Sequence, residues 1–355
     1  MALTNLNNLP APLVAACEDH HVSSGSNLSL TSVYAPAKQV ALQKKHRGEM
    51  TEDATQRIWS VLGQAVHVIL ERAVYERNPE RRRIIEAIER LEEIENDLRW
   101  AYLDENEDPI ELSLEDEVIA ESLNSARRIL TQRLDAYPSD PEPSLIFAEE
   151  AWEREVLGWR VRGRIDHLTL EPGIRTLTDY KVTSVWSVKG ETKEEWVKQV
   201  NLQCLFAPDH IREQIEKLQV GAILRDWRKN ERLRHDDYPN EQVVVVPIPM
   251  WPLAKTAAYL EERVAIHQQA QLGNMPDCTP EERWEKPTIF AVHKKGNKGA
   301  TRLYDTVEAA EKHVASQPGL ELKVRPGESP RCAQYCSALP FCPQGQRLVA
   351  ATAAA

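Results

Sequence analysis

Apolar residues recur at helical spacing from Asp53 to Arg77, where Ile58, Leu62, Val66 and Ile69 share one face of a predicted helix. Two charge-rich helices are predicted at Pro79–Leu98 and Leu114–Ala136, their i,i+4 charge pairs suiting helices that pack on one side. DAYPSDPEPS at 135–144 interrupts this texture and marks a boundary. The period then shortens. WRVRGRIDHLTL (159–170) and GIRTLTDYKVTSVW (173–186) alternate apolar with polar residues around Glu171-Pro172-Gly173, which predicts a β-hairpin. EEWVKQVNLQCLFAPDHIREQ (194–214) returns to helical spacing, VGAILRDW (220–227) and QVVVVPIPMW (242–251) read as strands, and residues 253–272 form another helix. Strand, strand, helix, strand, strand, helix predicts an α/β (α+β) fold with a mixed central sheet flanked by helices. The expected organisation is a flexible segment over 1–30, a helical region over 31–140 with a charged helical insertion, and a core over 141–272. A loop-rich, Cys-rich section over 273–345 and a disordered tail over 346–355 complete it. The chain has no internal repeat.

Composition narrows the class. With 42% hydrophobic and 28% charged residues, the 355-residue chain reads as globular rather than disordered or fibrous. It lacks an apolar run of about 18 residues, and its first residues lack a basic region followed by an apolar stretch, so neither a membrane span nor a secretory signal is expected. The expected location is intracellular, in the cytoplasm. A net charge of −11 argues against a protein that coats nucleic acid by bulk electrostatics. The charge is uneven, however: acidic residues crowd 85–119, whereas RDWRKNERLRH at 225–235 is basic and could track a phosphate backbone or simply form a solvated face.

The chemistry concentrates in Gly163-Arg164-Ile165-Asp166 and, thirteen residues on, Asp179-Tyr180-Lys181. On two strands of one hairpin, Asp166 and Asp179 converge beside the sheet, and two carboxylates make an oxygen cage suited to Mg²⁺ or Mn²⁺. Lys181, two residues after Asp179, shares its strand face and places an ammonium where charge develops on a phosphoryl group. The set suits phosphodiester hydrolysis. An Asp-x-Lys triplet alone is common on wet strand faces; embedded in LTDYKV and preceded by GRID, its charges need partners or a metal.

These residues resemble the PD-(D/E)XK nuclease superfamily, in particular its RecB-like exonuclease branch, which includes iron–sulfur nucleases of CRISPR adaptation and related phage enzymes. The branch pattern is Gly-x-x-x-His on a helix, Gly-x-x-Asp, (Asp/Glu)-x-Lys, then a helix with Gln. Here Gly63-Gln64-Ala65-Val66-His67, GRID, DYK and KQVNLQ (198–203) follow in that order. The resemblance implies a restriction-endonuclease-like core, Asp166 and Asp179 as metal ligands, Lys181 as the catalytic lysine and His67 as a further ligand or phosphate contact. Without it, His67 reads as a core histidine. Gln199 is the favoured catalytic glutamine, with Gln203, Tyr180 and Arg164 as substrate contacts. One of Glu149, Glu150 and Glu153 is a candidate to join the site.

Cys332, Cys336 and Cys342 are spaced C-x3-C-x5-C between stiffening prolines. Cys278 is the most suitable fourth ligand, and the resemblance implies a [4Fe–4S] cluster on these four, with a structural Zn²⁺ as alternative. The branch usually places its fourth cysteine near the N-terminus; the comparable LTSVYAPAKQV has none, and Cys17 is an inferior substitute. The expected activity is that of an exonuclease on single-stranded DNA or DNA ends, in DNA repair, recombination, phage replication or adaptive immunity. The alternatives are a structure-specific endonuclease, a catalytically silent nucleic-acid or partner-binding module, and a structural zinc protein with a chance DYK. No phosphate loop of the Gly-x-x-x-x-Gly-Lys-Ser/Thr type occurs, so any helicase or recombination partner is a separate protein.

Overall fold

A computed structural model describes residues 2–18, 25–76, 114–135, 145–171 and 173–353, with a few positions between 84 and 94. Up to residue 76 the chain forms β1 (Ala2–Thr4), α1 (Ala11–Ala16), β2 (Leu28–Ser29), α2 (Leu30–Val33), α3 (Ala37–Lys45), β3 (Thr51–Asp53) and α4 (Ala54–Glu76). After α5 (Leu114–Asp135) come β4 (Leu145–Ala148), β5 (Ala151–Val156), β6 (Trp159–Arg164), β7 (His167–Glu171) and β8 (Ile174–Thr183). A short 3₁₀ turn at Val185–Val188 leads to α6 (Glu194–Phe206), α7 (Asp209–Arg212), β9 (Lys217–Leu224), α8 (Lys229–Arg232) and β10 (Val243–Ile248). The remainder is α9 (Leu253–Gln271), β11 (Ile289–Lys294), β12 (Ala300–Tyr304), α10 (Val307–Ser316), β13 (Leu320–Arg325) and α11 (Pro343–Ala353).

Five strands in the order β10-β9-β8-β7-β4 make a mixed sheet, parallel between β8 and β9 and antiparallel elsewhere. Parallel neighbours need a crossover, and α6 supplies it. It stops at Phe206 because Pro208 drives Ala207 out of the helical region, to φ −56°, ψ 141°. The predicted helix over 194–214 is therefore shorter, with α7 as a separate turn. Leu168 and Leu177 on the sheet, Val200 on α6 and Val220 on β9 are buried in one cluster. Each such side chain contributes about 1.5–3 kcal/mol when removed from water. The α/β expectation with a mixed central sheet is met.

The predicted hairpin is corrected. Residues 159–170 alternate as one strand would, yet the ladder changes sheet at Ile165 and Asp166. β6 lies in a three-stranded sheet of order β2-β6-β5, and the hairpin is β7 with β8 alone. Leu157 and Gly158, at φ 50° and 76°, form the two-residue turn joining β5 to β6. Asp166 thus sits at a junction between strands, not within one.

Three other expectations change. Residues 273 onward are not simply loops: β12-β11-β13 form a sheet that packs with α10 around Val292, Ala310 and Leu320. The C-terminal segment expected to trail off is helical to Ala353, its Ala-rich composition favouring helix and Gln346 bonding back to the Pro340 carbonyl at 2.7 Å. Residues 2–18, expected to be a flexible lead-in, carry β1, paired in parallel with β3, and α1. The predicted helix at 79–98 and the break at 135–144 lie largely outside the described residues. The chain forms two compact units: 1–59, 153–163 and 252–355 in one, 60–152 and 164–251 in the other.

Candidate active site

Within the second unit, Asp179 is the most deeply buried charged residue, with no exposed surface. β8 delivers it beneath α6, where Gln199 Nε2 donates to Asp179 Oδ1 at 2.6 Å and Gln203 Nε2 donates to the same oxygen at 3.2 Å. Gln199 and Gln203 stand one helical turn apart, so both reach it. Lys181 Nζ lies 2.7 Å from Asp179 Oδ2. The sequence favours Gln199 as the catalytic glutamine, with Gln203 as a substrate contact; the helix brings both to Asp179.

Asp166 is fixed by its neighbours. Its Oδ2 accepts the Tyr180 N–H at 2.7 Å, and its backbone carbonyl accepts the Glu149 N–H at 3.2 Å. His67, on α4, approaches Glu149 Oε1 at 2.9 Å and Asp166 Oδ2 at 3.6 Å through Nδ1. Glu149 is therefore the acidic residue that joins the site. Glu150 instead offers its carbonyl to the Ile165 N–H, and Glu153 faces Arg162 at 3.8 Å. Glu149 holds its backbone at φ 52°, a left-handed conformation that aims its carboxylate at His67. Arg164 lies 3.7 Å from Glu149 Oε2. Its carbonyl accepts from Gln203.

Among the described residues, His67, Glu149 and Asp166 form a group whose ligand atoms all lie within 4.8 Å of one another. Burial, followed by the nearby Asp179 charge, raises the Asp166 carboxyl to about 7. The Glu149 hydrogen bond, against desolvation, raises His67 above its ordinary range. The Tyr180 phenol is raised too, first by burial and then by Asp166. Crowded carboxylates of this kind favour a cation. Gln203 Oε1 is buried without a hydrogen-bond partner and Asp179 Oδ2 meets only the Lys181 ammonium, which leaves lone pairs that a hard divalent ion satisfies. The donor set fits Mg²⁺ or Mn²⁺.

Sequence reasoning gave no role to Gly221. It stands opposite Tyr180 on β9, and a Cβ there would come within 2.8 Å of the Tyr180 ring. Glycine at this position gives the ring room beside Asp166. Gly63, by contrast, has open space around it, and nothing in the packing explains it.

In the first unit, Cys278, Cys332, Cys336 and Cys342 all line one cavity, with Leu42 and Leu339. Gln344 clamps Cys278 through both backbone groups, each at 2.9 Å, and the Gly345 N–H points at Cys342 Sγ at 3.4 Å. Burial raises the Cys278 thiol to about 12, and burial also raises Cys332 and Cys336. Cys17 is buried elsewhere, its thiol on the Ala54 carbonyl.

A sequence model of the family described as "PD-(D/E)XK nuclease superfamily" matches residues 39–343. No curated protein matches the chain. A solved structure described as "Crystal structure of SSO0001" aligns at 14% identity over 77% of this chain and 88% of that one, with a TM-score of 0.38. So low a score carries no argument.

Proposed function

The chain belongs to the PD-(D/E)XK nuclease superfamily, and on that footing we propose a deoxyribonuclease that works as an exonuclease on single-stranded DNA or DNA ends. Membership implies metal-dependent phosphodiester hydrolysis. The observation that carries the site assignment is the His67–Glu149–Asp166 group beside the buried Asp179–Lys181 pair. In this reading His67, Glu149, Asp166 and Asp179 would hold the divalent ion, which would supply Lewis acidity toward a phosphoryl oxygen and lower the pKa of water toward neutrality. Lys181 places a positive charge where the transition state becomes more negative, and Gln199 and Gln203 hold the Asp179 carboxylate in one orientation. Arg164 and Tyr180 flank the scissile group.

The four-cysteine cavity is assigned to a [4Fe–4S] cluster that staples the C-terminal section. A single zinc about 2.3 Å from each sulfur would draw the thiolates together. Among the described residues, groups of three ligand atoms mutually within 4.8 Å are confined to the carboxylate site, so no three of these sulfurs are gathered that closely. The Gly345 N–H toward Cys342 Sγ also suits a cluster, whose sulfurs take such bonds. Anaerobic absorption near ~400 nm with metal analysis tests it; a colourless protein containing zinc sinks it. All six cysteines are free, in keeping with a reducing intracellular setting. No helix among the described residues is long and apolar enough to cross a membrane.

The decisive experiment is Lys181→Ala on end-labelled single-stranded DNA with Mg²⁺. Cleavage is expected to fall by about 10²–10³-fold while the fold persists. Undiminished cleavage by the folded variant refutes the role of Lys181. A circular single strand separates exonuclease from endonuclease: an exonuclease leaves it intact.

A further inference from the structure

β8 and β9 run parallel and end together, Thr183 pairing with Leu224. The segments leaving those ends are tied to one another. The Arg225 N–H donates to the Thr183 carbonyl at 2.9 Å, and the Val185 N–H donates to Asp226 Oδ1 at 2.7 Å. Ser187 Oγ accepts from Thr183 Oγ1 at 2.7 Å and from Lys193 Nζ at 2.9 Å. Val185 and Ser187 are buried, yet Trp186 between them is 79% exposed. The indole is thus held in water by a braced turn. A slack loop would be free to fold it away; this one is not.

One cation stands over that indole. Lys189 Nζ lies 5.6 Å from the Trp186 ring centre and 5.6 Å from that of Tyr238, and it donates to Asp237 at 2.9 Å. The first part of the loop after β9, residues 225–235, carries the exposed Arg225, Arg228, Lys229, Arg232 and Arg234 against Asp226 and Glu231, with Asp236, Asp237 and Glu241 following before β10, in a chain of net charge −11. β8 links this end of the sheet to the chemistry. Thr183, where the strand stops, is two residues and about 7 Å beyond Lys181.

We propose that this end of the sheet is a single-strand platform on which Trp186 stacks an unpaired base while Lys189 and the 225–235 cations meet the adjoining phosphates. The proposal deepens the nuclease reading and rests on it. A flat ring open on one face takes any base, so the site is indifferent to sequence. It needs a base that is out of its duplex, so the substrate class is single-stranded DNA or a frayed end. The excess of cations over 225–235 attracts the backbone despite the acidity of the whole chain. Because the turn is pre-braced, little ordering is needed when the strand arrives.

The test is fluorescence anisotropy with a labelled oligothymidylate and an abasic strand of equal length, with Ca²⁺ in place of Mg²⁺ to withhold cleavage. The full chain is compared with Trp186→Ala and Trp186→Phe. Wild type should prefer the base-bearing strand; Trp186→Ala should weaken that complex about 10-fold and the abasic one little, and Trp186→Phe should keep most of the preference. Unchanged binding by Trp186→Ala, an equal loss on both strands, or no binding by wild type overturns the platform. Cleavage by wild type and Lys181→Ala in Mg²⁺ judges the nuclease reading separately. A wild type that cleaves while Trp186→Ala binds normally sinks the platform alone; one that binds both strands as expected but never cleaves sinks the nuclease.

Discussion

The carboxylate site and the cysteine cavity both bury titratable groups, and they do so in opposite electrostatic states. Around Asp179, charge is already present before any ligand arrives: Lys181 faces it, and Asp166 is pushed up to about 7 by burial and by that neighbouring charge. Around Cys278, burial raises the thiols, that residue to about 12 and Cys332 and Cys336 with it. The first arrangement is tense when empty and favours a hard ion that exchanges with water. The second is cheap when empty, and the raised thiols would give up their protons only as a soft metal took hold. A centre that must admit substrate tolerates the first condition; a staple is better served by the second.

The sharpest way to break this contrast is Asp179→Asn. It removes the ligand charge but keeps the shape and the glutamine contacts, so cleavage should vanish from gel assays while the far-ultraviolet spectrum stays native. Retained cleavage would strip the buried carboxylate of its role. Next in size is Cys332→Ser. Metal content should drop and the unfolding midpoint fall by about 10 °C, the effect of several kcal/mol of lost binding. Should that variant keep its midpoint and lose only cleavage, the cavity is catalytic and the division between the two centres fails.

The smallest effect concerns pH. A raised carboxyl binds its proton more tightly folded than unfolded, so the Asp166 contribution is lost as pH climbs from about 3.9, the unfolded value, to about 7. His67, raised above 6.5, acts in the same direction: its contribution is present below that value and lost as pH rises through the folded one. In EDTA, Asp166→Asn should therefore flatten the decline in urea stability between pH 5.5 and 7.5, by on the order of 1 kcal/mol. Mg²⁺ should restore the wild type selectively. An unchanged slope in the variant would show that the crowding is relieved by other means.

Local spacing made much of the site legible. Asp179 and Lys181 share a strand face by period alone, and Gln199 and Gln203 share a helix face by the i,i+4 rule. What escaped depends on distant parts of the chain. Glu149, Glu150 and Glu153 are chemically alike; the choice among them follows from a left-handed turn locked by the Asp166 carbonyl. The alternation through residues 159–170 carries no mark of the ladder changing sheets at Ile165. β12 and β13, as ATRLY and LELKVR, are short and charged, and only their pairing with β11 reveals them. Cys278, by contrast, was legible as the fourth ligand, and it lines the same cavity as its three companions.

The left-handed backbone at Glu149 sets a limit on improvement. An L residue held there costs roughly 1–2 kcal/mol that glycine does not. Selection for heat resistance alone would thus favour glycine at 149, relaxing the turn while deleting a carboxylate from the ion's cage. Durability and turnover pull this one residue in different directions. A lineage that keeps an acid at 149 is reporting that it still uses the enzyme.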